Sequence, residues 1–229
     1  MSSSLNVSRL APSRLPKRTR ERGPDLPVPA AFVDECRLAL QMVGVPNISS
    51  VGITSSVRGE GRTILSIASA LVFADYGVPT VLLDLDLERP CLASRLGIPD
   101  RPGLGELLDG EATLAEVLLP VANDLFLLPA GRLSTSAPRA MAEVASSDLL
   151  RNIQRQGRAI VADLPPLLGS SIGRPAACLF TDLLLVVRAG VVPAATVKEA
   201  VATLPEPPRV VLNGVHSRIP LWARRLAGV

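Results

Sequence analysis

The sequence is poor in several residue types on which catalytic or structural arguments usually rest. His216 is the only histidine, and Cys36, Cys91 and Cys178 are odd in number, far apart and without a CxxC spacing. This argues against a disulfide framework and against a structural zinc site, and reads as three small thiols. Aromatic residues make up 3% of the chain; Tyr76 is the only tyrosine, Trp222 the only tryptophan, and lysine occurs only at Lys17 and Lys198. No uninterrupted apolar run approaches the roughly 20 residues that cross a bilayer. The expectation is therefore a soluble, cytoplasmic chain.

What is present suits one domain. The chain has 229 residues, 48% hydrophobic and 20% charged, which is enough to bury a core without staples. Its net charge of +3 is unevenly placed. Residues 1–28 hold Arg9, Arg14, Lys17, Arg18, Arg20 and Arg22 against Glu21 and Asp25, a balance of +4 that leaves −1 for the remainder. With Ser2 to Ser4 and several prolines around those charges, 1–28 reads as a disordered basic arm before a single domain over 29–229. It has no apolar segment of the kind a secretory signal carries. The arm is either a solvated tail or a polybasic segment held at an anionic membrane surface or an acidic partner. No nucleic-acid partner is expected.

From residue 50 onward, strand-like runs alternate with helical periodicity, which predicts an α/β fold with a mostly parallel sheet and helices on both faces. The runs are Val51–Thr54, Pro79–Asp84, Asp124–Leu128, Arg158–Ala162, Asp182–Val187 and Arg209–Leu212. Apolar runs without alternation suit strands covered on both sides. Ile64, Ile67, Ala68 and Leu71 fall at i, i+3, i+4 and i+7 of a helix that Gly77 stops, and Phe32, Val33, Cys36, Leu40 and Val43 predict an earlier amphipathic helix.

Between the first strand and its helix stands Ser55-Ser56-Val57-Arg58-Gly59-Glu60-Gly61-Arg62-Thr63-Ile64. A glycine-rich turn that feeds a helix N-terminus aims free amides at an anion, and a hydroxyl after the basic residue can reach a magnesium ion. Against G-x-x-x-x-G-K-[ST], the first glycine is Ser56 and the lysine is Arg62. Residues 56–64 are the candidate phosphate-binding loop. Asp84 and Asp86 end the second strand on one side of the chain, and Asp163 ends another apolar strand. Such carboxylates suit a hydrated metal or proton abstraction and lie at the strand ends where open α/β sheets bind ligands. The candidate catalytic residues are Asp84, Asp86 and Arg62, and the candidate magnesium set is Thr63, Asp84, Asp86 and Asp163. Singly, each carboxylate also reads as a helix cap or turn residue.

Over about Phe32 to Asn213 the chain resembles the cytoplasmic domains of bacterial tyrosine kinases of capsular and exopolysaccharide biosynthesis, within the ParA- and MinD-type P-loop ATPases. The likeness rests on Gly59-Glu60-Gly61, Asp84-Leu-Asp86, Arg89-Pro90, Pro102-Gly-Leu-Gly-Glu-Leu-Leu-Asp-Gly110, Leu128-Pro-Ala-Gly131, Asp163-Leu-Pro-Pro166, Leu185-Val-Val-Arg-Ala-Gly190 and Val211-Leu-Asn-Gly214. The resemblance implies an ATP or ADP site with Mg2+ at the loop, Asp84, Asp86 and Asp163. It also implies a place at the inner face of the plasma membrane beside a membrane-bound chain-length or co-polymerase protein of polysaccharide export.

The departures are as informative. Arg62 replaces the family's lysine, and a planar guanidinium does not substitute freely for a compact ammonium. The tyrosine-rich tail of the family is missing, and Tyr76, after the loop helix, is expected to be packed. The family's E-x-x-R-x-x-R oligomerisation helix reads Asp34, Arg37 and Leu40, which leaves the oligomeric state open. The first expectation is thus a catalytically weakened, kinase-like regulator. An active kinase or ATPase acting on a partner chain stands second and a positioning ATPase third.

Overall fold

A computed structural model of the chain describes residues 28–42, 49–98 and 101–215. In chain order the elements are α1 (Ala30–Met42), β1 (Ser50–Ser55), α2 (Arg62–Asp75), β2 (Thr80–Asp84), α3 (Leu92–Arg95), α4 (Leu104–Asp109), α5 (Leu114–Val117) and β3 (Leu119–Ala122). There follow β4 (Leu125–Leu128), α6 (Ala137–Ser146), α7 (Leu149–Arg155), β5 (Ala159–Asp163), α8 (Gly173–Ala177), β6 (Asp182–Arg188), α9 (Ala194–Ala202) and β7 (Arg209–Asn213). The basic arm lies outside the described residues except for Val28, which is buried, and Val43 of the expected first helix lies outside them too.

Strand order is β3-β4-β2-β5-β1-β6-β7, parallel except for β3, which pairs antiparallel with β4 at one edge. The six expected strands are all present. The seventh, β3, carries Pro120 and follows a short helix; its bulged, edge-only pairing is where proline is tolerated, and no alternating pattern announces it.

Because successive strand residues point to opposite faces, the unbroken apolar runs feed two cores. Val51, Ile53, Leu82, Leu125, Leu127, Val161, Leu184 and Val186 pack under α1 and α2. Val81, Leu83, Ile160, Ala162, Leu183 and Leu185 pack under α4 to α9. Helix α2 is buried along most of its length because α1 lies over it. Arg37 of α1 stays within the domain: it pairs with Asp75 at 2.7 Å and stacks over the Tyr76 ring.

Tyr76 itself departs from the expectation of a packed side chain. It follows α2 as its C-cap, is 43% exposed, and its hydroxyl accepts a hydrogen bond from Gln41 at 2.6 Å. Gly77, at φ 77°, stops the helix as its position in the sequence suggests, and Tyr76 stands before it as the cap. Among the described residues no helix is long and apolar enough to cross a membrane.

Candidate functional site

The parallel order brings the carboxyl ends of β1, β2 and β5 side by side, with Asp84 directly opposite Asp163 in register. The loop from Ser56 to Gly61 runs from β1 into α2 above those ends. Gly59 and Gly61 hold φ of 86° and 96°, a region that side chains with a Cβ rarely adopt. At Gly61 a Cβ would also lie 2.2 Å from Nδ2 of Asn213. Gly61→Ala is therefore expected to lower stability by about 1–3 kcal/mol, the usual cost of a strained backbone position, read as a drop in thermal midpoint. An unchanged midpoint would mean that the loop relaxes freely.

Glu60 braces the loop from below. Its buried carboxylate accepts hydrogen bonds from the amides of Val57 (2.9 Å) and Arg188 (3.1 Å), while its carbonyl accepts one from Asn213 Nδ2 (2.8 Å). Arg188 ends β6 and Asn213 ends β7, so the loop is tied to two further strand ends. Neither residue stood out in the sequence; their place in Leu185-Val-Val-Arg-Ala-Gly190 and Val211-Leu-Asn-Gly214 was the available signal. The side chain of Ile64 packs into the α1–α2 core. Ser56 is buried with its hydroxyl unpartnered. Among the described residues, the amides of 59–63 find no acceptor within the chain. These amides, at the start of a 14-residue helix, form a cradle that fits a phosphate.

The basic residue after the glycines is engaged by neighbouring carboxylates. Only 9% of the Arg62 side chain is exposed; its guanidinium bonds Asp86 Oδ2, approaches Asp163 Oδ1 at 3.8 Å and reaches Ser55 Oγ at 3.4 Å. Arg58 joins Asp86 Oδ2 at 3.0 Å and Glu88 at 3.6 Å. Glu88 in turn accepts hydrogen bonds from the Ser171 amide (2.9 Å) and hydroxyl (2.6 Å). Glu88 and Ser171, which the sequence did not mark as site residues, thus link the loops after β1, β2 and β5.

Asp84 and Asp86 do not act as a pair. Asp84 turns toward the chain that follows and accepts the amides of Asp86, Cys91 and Leu92 at 3.3, 3.1 and 3.0 Å, which is the capping role that its sequence context also allowed. Asp86 faces the arginines. Thr63 Oγ1 lies 3.6 Å from Cys91 Sγ, and Asp163 Oδ1 accepts from Ser66 at 3.1 Å while its Oδ2 has no partner. Among the described residues no group of three acidic, histidine or cysteine side chains is arranged to hold a metal. As they stand, Thr63, Asp84, Asp86 and Asp163 do not fit Mg2+, because backbone amides and arginines already engage most of their oxygens.

Burial raises two of these acids. Asp84 is pushed up to about 7 by burial and then by the charge of Asp163, and Asp163 to about 6 by burial, against the pull of Arg62 and of the Thr63 and Ser66 hydroxyls. The native state therefore holds more protons than the unfolded chain between about pH 4 and 7, so stability falls as pH rises through that window and levels off above it. Glu88 is shifted the other way: hydrogen bonds from Ser171 and Ser170 and the charge of Arg58 outweigh its burial. Its effect is confined to acid pH, where it is lost as pH falls. The urea midpoint is expected to be higher at pH 5 than at pH 8, with the difference reduced in Asp84→Asn. An equal midpoint at both pH values in the unmodified protein would contradict the burial argument.

A cleft of about 630 Å³ opens beside Asp84, lined among others by Cys91, Arg101, Glu106, Ala130 and Arg132. Its wall joins two of the motifs noted in the sequence. The amides of Leu104 and Gly105 donate to the carbonyls of Pro129 and Ala130 at 2.8 and 2.9 Å, and Glu106 accepts the amides of Gly103 and Arg132.

No family model matches the chain. Over 169 residues, 72% of this chain, it is 28% identical to the succinoglycan biosynthesis transport protein ExoP of Rhizobium meliloti, of which it covers 22%. It is 25% identical over 175 residues to the putative tyrosine-protein kinase CapB of Staphylococcus aureus, a match covering 76% of this chain and 77% of that protein. The kinase domain of VpsO superposes with a TM-score of 0.71 at 26% identity, over 81% of this chain and 97% of that one. At fold level the likeness extends to the Mg-ADP complex of MinD from Pyrococcus horikoshii, with a TM-score of 0.56 at 20% identity over 78% of this chain and 76% of that one.

Proposed function

We propose, for a chain whose relatives are bacterial tyrosine kinases on the P-loop ATPase fold, that it is a nucleotide-binding, catalytically weakened subunit of an exopolysaccharide system. The observation that carries this reading is the division of labour at the loop. The amide cradle of residues 59–63 is intact, whereas the side chain of Arg62, within it, is committed to Asp86 and Asp163. A cradle binds a phosphate through fixed dipoles; transfer needs a cation on the charge that develops in the transition state. The chain is suited to the first task and poorly suited to the second.

In this reading ATP or ADP is held by residues 56–63, Asp84 shapes the turn into Cys91, and Glu60 keeps the loop closed. The partner in this reading is a membrane-bound co-polymerase of polysaccharide export, a proposal supported by the likeness to ExoP, a succinoglycan biosynthesis transport protein. Calorimetric titration should show ADP and ATP binding, with phosphate release at background. Absence of binding would overturn the reading, as would turnover in the range of about 1–100 per second typical of kinases.

The arm supplies the membrane side of the proposal. Removing residues 1–27 should leave the thermal midpoint unchanged and weaken binding to vesicles rich in anionic lipid. A large fall in the midpoint would show that the arm belongs to the packed domain.

A second reading, an active kinase on a partner chain, draws on the cleft beside Asp84, whose rim offers Arg101 and Arg132 to an acidic segment. Label transferred from ATP to a co-purified membrane partner would favour it.

A further inference from the structure

The charges at the carboxyl edge of the sheet are arranged around one buried cation. Asp86 and Asp163 come from two neighbouring strand ends and are both fully buried, and Arg62 lies between them. Its Nη2 is on Asp86 Oδ2, its Nε is 3.8 Å from Asp163 Oδ1, and its Nη1 is held by Ser55 Oγ at 3.4 Å. Arg58 adds a second, half-exposed cation on the same Asp86 oxygen. Buried carboxylates require a cation or a proton, and a planar guanidinium can serve two of them at once where a point charge serves one.

We infer that Arg62, with Arg58 beside it, is a resident replacement for a divalent cation: the two guanidiniums supply from within the chain the positive charge that Asp86 and Asp163 face, so the loop takes a nucleotide polyphosphate without requiring metal. The second half of this statement rests on the nucleotide reading; the first does not. Two features favour replacement over an incidental ion pair. Asp163 Oδ2 is buried without a hydrogen-bond partner, an oxygen that a metal could engage if the guanidinium were gone. The second is that Arg62 begins the helix that supplies the cradle, so one residue sets both the loop backbone and the local charge.

The test uses the full chain and Mn2+ alone, followed by electron paramagnetic resonance. The unmodified protein should bind no stoichiometric Mn2+ in the micromolar range, whereas Arg62→Met should gain a site at least on the order of tenfold tighter, as exposure of two carboxylates to a hard cation implies. Arg62→Met with Asp163→Asn should lose that site. If Arg62→Met fails to fold without metal, a rise in its thermal midpoint on adding Mg2+, absent in the unmodified protein, gives the same answer. Stoichiometric Mn2+ on the unmodified protein overturns the inference, and so does a folded Arg62→Met with no gain in Mn2+ binding and no Mg2+ stabilisation.

ADP titration in EDTA and in Mg2+ tests the nucleotide half. Affinities that agree within about twofold support metal-free binding, and a strict Mg2+ requirement overturns it while leaving the nucleotide reading intact. No ADP binding under either condition overturns the nucleotide reading itself and leaves the cation replacement to the Mn2+ result.

Discussion

Arg62→Ala is expected to lower the unfolding free energy by about 3–5 kcal/mol, the range found when one partner of a buried ion pair is removed. The size follows from where the charges lie. Asp86 and Asp163 are fully buried; Asp163 loses the cation beside it and Asp86 keeps only the partly exposed Arg58, whereas an exposed pair such as Arg139–Glu143 contributes less than about 1 kcal/mol. Urea denaturation at pH 8, with Arg139→Ala as control, measures the difference. Arg62→Lys should lose less, because an ammonium restores the charge but not the fork that bonds Ser55 and Asp86. Superimposable curves for Arg62→Ala and the unmodified protein would show that the carboxylates are neutralised by protons and not by the arginine.

Phosphoryl transfer carries the second large effect. With nucleotide bound, Arg62→Lys should raise ATP turnover on the order of a hundredfold, because a flexible ammonium, which rests on the carboxylates in the free protein, swings to the developing negative charge where the forked guanidinium stays fixed. Tyrosine phosphorylation should stay absent in both proteins. Tyr76 stands at the far end of α2, which at 14 residues and ~1.5 Å per residue puts it roughly 21 Å from the loop. Its exposure leaves it open to a neighbouring molecule, but its hydroxyl is engaged by Gln41 and its ring by Arg37. Incubation with labelled ATP followed by phosphotyrosine mapping decides the matter. Stoichiometric label on Tyr76 of the unmodified protein would overturn the prediction, and unchanged turnover in Arg62→Lys would mean that the arginine does not limit the reaction.

The two predictions separate cleanly because they interrogate different properties of one side chain. The first measures what the guanidinium does for two acids in the resting fold. The second measures what it fails to do for a bound phosphate. A protein that is strongly destabilised by Arg62→Ala yet unchanged in turnover by Arg62→Lys would be a scaffold with a fixed ion pair and no residual catalytic function.

Local chemistry makes the fold and the position of the loop readable in the sequence. Unalternated apolar runs such as Val81–Asp84 and Ile160–Asp163 imply strands covered on both faces, and Gly59-x-Gly61 before Ile64, Ile67 and Ala68 implies a turn feeding a helix. Those signals act over a few residues, which is why they survive in a linear reading. The direction of each polar side chain is set by groups far away in the chain. Arg62 meets a carboxylate 24 residues on, Ser66 one 97 residues on, Glu60 an amide 128 residues on and the side chain of Asn213 153 residues on. No periodicity encodes such meetings. They arise because the parallel order places β5 between β2 and β1 and stacks β6 and β7 beyond them, so that five strand ends converge beneath one loop. Asp84 and Asp86 looked alike as neighbours in sequence; a turn of the backbone after β2 gave one to the Cys91 and Leu92 amides and the other to two arginines.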